Sequence, residues 1–376
     1  MEYAALMALT LLGITAGLFV DSSDDDDDTD TGDTADGGGQ DDGTDTDDGS
    51  DTGEDIVIDD DTGDGTDVDT DGIVTSEGVV FGTDGGDSIT ATAGAETIVG
   101  GEGDDVITGN GSANILDGQG GNDTVFGDEG DDQVFGSEGN DSLEGNSGDD
   151  LVACGAGNDT VAGDLGNDSI FGDDGNDLMN GQEGDDQLVG GTGDDTMFGG
   201  FGDDTVFGND GDDSILDGDG DDSLNGGEGA DTLDGGAGND QLFGIWDGDD
   251  DDLVNARDLD DPDMLLGGEG FDEIQMGSGD VAFGEEGADI FYTGTWVDPD
   301  NAPEIMDLEE DEVIILSVPQ GTSAGTSLSL ETDDLSGDTL VQANGQTVVV
   351  VSAGAAPISL DQIIIVESAS IVQTAA

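Results

Sequence analysis

Carboxylates are almost the only reactive side chains in this sequence. Its 376 residues include 97 acidic side chains, one basic side chain, Arg257, one cysteine, Cys154, and no histidine. Without histidine or lysine, the chain lacks the usual general base, the Ser-His and Cys-His pairs and any imidazole ligand for zinc. The formal charge of −96 excludes nucleic acid as a partner and repels anionic lipid headgroups. These features predict a protein that is not an enzyme.

Many of the carboxylates recur with a period of nine residues. Counted from Gly82, the register holds through Phe243 and gives 18 consecutive units. Glycine occupies the first position in 15 units and the fourth in 17, and aspartate occupies the sixth in 16, with Glu96 and Asn114 as substitutes. The eighth position is aliphatic or methionine in every unit: Ile89, Ile98, Ile107, Leu116, Val125, Val134, Leu143, Val152, Val161, Ile170, Met179, Leu188, Met197, Val206, Ile215, Leu224, Leu233 and Leu242.

Each unit predicts a turn followed by a short strand. Positions seven to nine place one inward aliphatic residue between two outward residues, which is the alternation of a strand. Glycines at positions one and four suit a turn that visits positive φ. A single column of aliphatic side chains is too thin a core to offset the backbone entropy of so many glycines. The repeats therefore need another source of stability.

The unit resembles the glycine-rich nonapeptide GGxGxDxUx of the RTX, or hemolysin-type, calcium-binding repeat family. The resemblance implies an all-β fold, a right-handed parallel β-roll (RTX solenoid) with two units per turn. It also implies multiple calcium ions, about one per repeat, held between neighbouring turns by sixth-position carboxylates and backbone carbonyls. Degenerate repeats follow in GGEGFDEIQ, 267–275, and GEEGADIFY, 284–292. The implied metal ligands are Asp87, Asp105, Asp123, Asp132, Asp141, Asp150, Asp159, Asp168, Asp177, Asp186, Asp195, Asp204, Asp213, Asp222, Asp231, Asp240, Asp272 and Asp289.

The electrostatics of such a roll predict folding that depends on calcium. Carboxylates stacked one strand spacing apart, about 4.8 Å, repel each other strongly. One divalent ion per unit would neutralise most of this charge. Metal binding would then supply folding free energy.

The remaining sequence divides around the repeats. Residues 1–20 are a hydrophobic segment that fits either a membrane anchor or a secretion signal, and residues 21–81 are predicted to be an acidic disordered linker. The β-roll of 18 nonapeptides spans 82–243, and an insertion with the degenerate repeats spans 244–292. Residues 293–376 predict a small β-rich C-terminal cap.

The C-terminal region also carries features of an export signal. IMDLEEDEVIIL, 305–316, resembles the segment that follows the repeats in many proteins exported by type I systems. No charge occurs after Glu367, as in an uncleaved C-terminal signal. The sequence thus predicts the type I secretion apparatus as a partner. The expected location is extracellular, or on the cell surface of a Gram-negative-type bacterium.

One set of outward ninth positions is rich in phenylalanine. If alternate units feed opposite sheets, Phe135, Phe171, Phe207 and Phe243 share one outer ladder, here called the phenylalanine face. The face fits stacking of neighbours within the sheet. It also fits self-association with a second roll, or docking of the C-terminal cap.

Together these features predict a secreted or surface-displayed calcium-binding β-roll that folds outside the cell and has a structural or adhesive role. One alternative is an RTX-associated hydrolase, a glycosidase with a carboxylate pair among the ligands. The other alternative is an ice-binding surface protein. An ice-binding roll would carry regular threonine on one flat face, and the seventh positions interrupt that pattern with Val106, Ile115, Leu151 and Leu178.

Overall fold

The computed structural model describes residues 74–75, 79–91, 94, 96–244, 262–294, 297–319, 321–355 and 357–367. The hydrophobic segment, most of the acidic linker and Arg257 in the insertion lie outside the described residues. No helix in the described ranges has the length and hydropathy needed to cross a bilayer.

Alternate units supply strands to two sheets of 15 strands each. Strands are numbered in chain order. In spatial order, sheet 1 consists of β1 (Val74–Thr75), β2 (Val79–Phe81), β4 (Thr97–Glu102), β6 (Ile115–Gly120), β8 (Gln133–Glu138), β10 (Leu151–Ala156), β12 (Ser169–Asp174), β14 (Gln187–Thr192), β16 (Thr205–Asp210), β18 (Ser223–Glu228), β20 (Gln241–Gly244), β22 (Glu273–Met276), β24 (Ile290–Gly294), β26 (Val313–Val318) and β30 (Ile363–Glu367).

Sheet 2 has the same construction and ends in the C-terminal hairpins. In spatial order it consists of β27 (Leu328–Thr332), β28 (Thr339–Ala343), β29 (Gln346–Val351), β25 (Glu304–Ile305), β23 (Val281–Gly287), β21 (Met264–Gly270), β19 (Thr232–Gly238), β17 (Ser214–Asp219), β15 (Thr196–Phe201), β13 (Leu178–Glu183), β11 (Thr160–Leu165), β9 (Ser142–Ser147), β7 (Thr124–Glu129), β5 (Val106–Thr108) and β3 (Ser88–Thr90). Two 3₁₀ helices, Ser323–Gly325 and Leu360–Gln362, complete the described secondary structure.

Successive turns pair in parallel with a register of 18 residues, so Val152 on β10 lies opposite Ile170 on β12. The described chain forms a parallel β-solenoid of about 11 turns. All 18 eighth-position side chains are at most 2% exposed, and together they form the predicted core between the two sheets. These findings confirm the all-β roll with two units per turn, and the hand of the roll stays a prediction.

The strands are longer than the predicted three residues. Most run over six residues, from position seven to position three of the next unit, as in Thr124–Glu129. The added residues pair as well, because the backbone of positions two and three meets the same positions one turn away, as Gly155 meets Asp173. Glycine therefore lies inside the strands as well as in the turns.

The roll continues beyond the insertion. Leu233 lies opposite Leu265 and Leu242 lies opposite Ile274, so the chain rejoins both sheets in register. The next turn is shorter by one residue, since Ile274 lies opposite Phe291.

Strands β25 to β30 lie in the C-terminal region for which the sequence predicts a β-rich cap. Strand β30 pairs in parallel with β26, and β29 pairs in parallel with β25. The antiparallel strands β27 and β28 extend sheet 2 beyond β29. The cap therefore joins the end of both sheets by edge pairing.

Candidate metal centre

The sixth-position side chains lie directly before the strands and form two ladders along the roll. In each ladder the backbone N–H of one sixth-position residue donates to Oδ1 of the residue one turn later. The N···O distances are 2.7 Å from Asp87 to Asp105 and 2.8 Å from Asp105 to Asp123, and they stay between 2.6 and 3.1 Å along both ladders. One ladder runs from Asp87 to Asp280 and the other runs from Glu96 to Asp289. The sequence-predicted ligands are therefore brought together in two continuous rows.

The second carboxylate oxygen of these residues has no hydrogen-bond partner. Oδ2 is buried and unpartnered in 17 of the 18 predicted ligands: Asp105, Asp123, Asp132, Asp141, Asp150, Asp159, Asp168, Asp177, Asp186, Asp195, Asp204, Asp213, Asp222, Asp231, Asp240, Asp272 and Asp289. Asp87, at the first turn, differs because its Oδ2 accepts from the backbone N–H of Thr83 at 2.6 Å and from the Thr83 hydroxyl at 2.9 Å. A row of buried acceptors without donors is costly unless positive charge offsets it.

Burial changes the acidity of the ladder residues. Desolvation, followed by the charges of Asp168 and Asp132, raises the pKa of Asp150 to about 7. Desolvation, followed by the charge of Asp195, raises the pKa of Asp177 to about 7. Desolvation, followed by the charge of Asp194, raises the pKa of Asp195 to about 6. Without a cation these carboxyl groups therefore bind protons near neutral pH.

First-position glycines leave the space beside the unpartnered oxygens free of side-chain atoms. A Cβ added to Gly127 would lie 2.7 Å from Oδ2 of Asp132 and 2.5 Å from the carbonyl oxygen of Gly145 on the next turn. Carboxylate and carbonyl oxygens thus converge on one position between turns. Calcium takes six to eight such oxygens in flexible geometry. The ladder residues and these carbonyls fit the calcium ions that the repeats imply.

Fourth-position glycines allow successive turns to approach closely. Gly139 has φ of +144°, a conformation that other residues rarely adopt. A Cβ at this position would overlap the carbonyl oxygen of Gly121 on the preceding turn. Both glycine positions therefore serve the stacking on which the ladders depend.

Asp263 and Asp280 are ladder members that the nine-residue step missed. The N–H of Asp231 donates to Oδ1 of Asp263 at 2.8 Å, and the N–H of Asp263 donates to Oδ1 of Asp280 at 3.1 Å. Asp263 follows the insertion, and Asp280 lies in a unit of eight residues, 276–283, so both fall outside the period. The signal that identifies them is an aspartate two residues before an inward aliphatic residue and four before glycine.

Three other positions depart from the regular ladder. Asn114 supplies its own donor, because its Nδ2 donates to the Ser112 carbonyl at 2.5 Å. Glu312 follows Asp289 at the C-terminal end, where burial and then the carboxyl of Asp289 raise the pKa of Glu312 to about 8. Cys154 occupies a first position as a buried thiol, and burial, with nearby Asp159, raises its pKa well above the usual value.

Asp217 also replaces a first-position glycine. Its side chain is 5% exposed, and neither carboxylate oxygen has a hydrogen-bond partner. One oxygen each from Asp204, Asp217 and Asp222 lie within 4.8 Å of one another. Desolvation, then the charges of Asp222 and Asp204, raise the pKa of Asp217 to about 9. The sequence analysis did not identify Asp217 as a ligand because it lies at a first position, which is glycine in most units.

Comparison with known proteins supports the repeat assignment. A family model described as RTX calcium-binding nonapeptide repeat (4 copies) matches residues 81–116, 90–125, 117–152, 126–161, 155–188, 180–215 and 207–242. The comparison with curated proteins found no match.

Proposed function

Because residues 81–242 of this chain consist of RTX calcium-binding nonapeptide repeats, we propose that it is a secreted or surface-displayed protein whose β-roll folds when it binds calcium outside the cell. RTX repeats imply calcium binding by the β-roll itself. We propose a structural or adhesive role without catalysis, which the regular ladders of buried carboxylates support.

The two rows of unpartnered Oδ2 atoms carry this proposal. Each of the 17 ladder aspartates with an unpartnered Oδ2 uses Oδ1 to accept a backbone N–H from the preceding turn, which orients the carboxylate. At Asp132 this leaves Oδ2 beside the carbonyl oxygen of Gly145 on the next turn. Bound calcium would supply the positive charge that offsets this unpartnered oxygen. The residues themselves hold the two adjacent turns in register, since the hydrogen bond always joins neighbouring turns.

Calcium-dependent folding follows from the same arrangement. Without cations, ionised ladder residues stacked at about the strand spacing repel each other, and the narrow aliphatic core opposes that repulsion with little buried surface. Since the unfolded chain lacks the preformed site, binding free energy becomes folding free energy.

Export through a type I apparatus is consistent with these properties. A chain that stays unfolded where calcium is scarce can thread an export channel and fold on reaching calcium. Extracellular calcium modules bind with Kd on the order of 10⁻⁴ to 10⁻³ M. Sites with this affinity would be empty inside the cell, where calcium is scarce, and filled outside it. We propose the same range for this roll and a location outside a Gram-negative-type cell.

The phenylalanine face supports self-association of the folded roll. In sheet 1, Phe135 and Phe171 flank Ala153, and Phe171 and Phe207 flank Val189, so apolar side chains line one outer ladder. The phenylalanine side chains are half-buried by their neighbours. The described cap strands join sheet edges, which leaves this face to a second copy of the roll.

A calcium titration of the full chain tests the proposed function. We expect the far-ultraviolet circular dichroism spectrum to change from coil to β-sheet at millimolar calcium and to return to coil when a chelator is added. Magnesium is the control, because it demands a tighter octahedral geometry and dehydrates reluctantly. A coil-like spectrum at ~10 mM calcium, where weak extracellular sites should be filled, would refute calcium-dependent folding.

A further inference from the structure

Asp217 carries a carboxylate where the roll normally has no side chain. Of the 18 first positions, 15 are glycine, and the others are Ala91, Cys154 and Asp217. First-position side chains point inward, since both Cys154 and Asp217 are buried. Asp217 therefore brings a third carboxylate into a turn that already contains sixth-position carboxylates.

The three carboxylates converge between two adjacent turns. Asp204 belongs to the unit that starts at Gly199, and Asp222 belongs to the unit one turn later, which starts at Asp217. A Cβ added to Gly199 would overlap Oδ1 of Asp217 and lie 2.6 Å from Oδ2 of Asp204. Asp217 thus reaches back to the preceding turn, where one oxygen from each of the three residues lies within 4.8 Å of the others.

Among the described residues, no hydrogen-bond donor balances this group. All three side chains are at least 95% buried, and Oδ2 of Asp204, both oxygens of Asp217 and Oδ2 of Asp222 lack hydrogen-bond partners. Three ionised carboxylates at this distance repel strongly in a buried environment. The arrangement therefore needs either a bound cation or protons.

We propose that Asp204, Asp217 and Asp222 form a three-carboxylate site that holds one cation more tightly than the other turns of the roll. Calcium affinity rises with the number of charged ligands, and three carboxylates also match the charge of a trivalent lanthanide ion. The inference rests on the proposed calcium-dependent function and adds that one site along the roll differs from the rest.

Terbium retention by the full chain tests the site. The calcium-loaded protein would be mixed with terbium, passed through gel filtration in excess calcium, and its bound terbium counted by mass spectrometry. Asp217→Asn removes the third charge without changing the side-chain shape, and Asp217→Gly restores the residue found at most first positions. Asp219→Asn is the matched control, since Asp219 is exposed on the same strand. We expect the wild type and D219N to retain one terbium ion per chain more than D217N and D217G.

Thermal unfolding at saturating calcium is a second measurement. It distinguishes a bound cation from bound protons, because the two explanations predict different changes in the unfolding midpoint of D217N. If Asp217 binds a cation, D217N should unfold about 3 °C or more below D219N. If protons balance the cluster, D217N removes only a buried acid, so its midpoint stays equal or rises and terbium retention does not change. Either result would overturn the site. Failure of the proposed function would differ, because the wild type itself would then show no folding response to calcium.

Discussion

At the scale of single residues, we expect the ladder carboxyl groups to link folding to both protons and calcium. Burial raises the pKa of Asp105 and Asp213 to about 7 and of Asp141 to about 6, from an ordinary value of 3.8. A carboxyl group whose pKa is raised by folding favours the folded state when it is protonated. Its contribution is complete below pH 3.8 and is lost as the pH rises through 6 to 7.

Calcium-free protein is therefore expected to contain more β-structure at pH 5 than at pH 8. Circular dichroism of protein freed of metal on a chelating resin measures this difference, and light scattering checks that the acidic sample has not aggregated. Added calcium should weaken this pH dependence, because the cation displaces protons from the folded roll while the unfolded carboxyl groups stay largely ionised at both pH values. Equal coil content at both pH values without calcium would contradict the pKa argument.

At the scale of the element, the turn depends on the absence of a side chain at its fourth position. Gly157 has φ of +153°, and a Cβ there would overlap the carbonyl oxygen of Gly139 on the preceding turn. Gly85 occupies the same position in the first unit, and a Cβ there would have no neighbour within 4 Å. Gly157 has both a positive φ and a close backbone neighbour, whereas Gly85 has neither, which makes the two glycines a contrasting pair.

Gly157→Ala should lower the free energy of unfolding in calcium by about 2 kcal/mol or more, since it adds left-handed backbone strain to a steric overlap. Gly85→Ala should change it by less than about 1 kcal/mol. Urea denaturation at fixed calcium measures both variants. Equal effects of the two substitutions would show that the close approach of turns does not limit stability.

At the scale of the whole molecule, we expect calcium to control the charge as well as the fold. The formal charge of −96 keeps calcium-free chains apart, because like charges repel across the entire surface. Ions bound along both ladders would reduce that negative charge and, by folding the roll, would also form the phenylalanine face. Self-association should therefore require calcium.

Analytical ultracentrifugation of the full chain checks this requirement. We expect monomers in chelator and a larger species in calcium, and we expect the double variant F171S/F207S to stay monomeric in calcium. Phe126→Ser with Phe198→Ser is the matched control, because both residues are half-buried ninth positions on sheet 2. Wild-type protein that remains monomeric in calcium, or loss of association in both double variants, would refute a role specific to the phenylalanine face.

The period of nine determined most of this architecture from the sequence alone. Because an inward residue recurs at each eighth position, the strands and their aliphatic core follow from spacing, and the two units per turn follow from the resemblance to RTX repeats. The same spacing places Asp105, Asp150 and the other sixth-position aspartates at equivalent positions in successive units, and the resemblance implies that they bind calcium. Residue type and interval are enough to predict the position of a side chain where every turn repeats the geometry of the turn before it.

Tertiary structure decided what departs from that repetition. Asp263 and Asp280 join the ladder because strand pairing restores the register after an insertion and a shortened unit. A fixed interval of nine residues cannot predict this. Asp217 meets Asp204 and Asp222 because the first position points inward at a neighbouring turn. The cap joins both sheets at their edges because the last strands would otherwise leave backbone donors and acceptors unpaired. Each of these contacts depends on which backbone lies one turn away, and that proximity exists only in the folded roll.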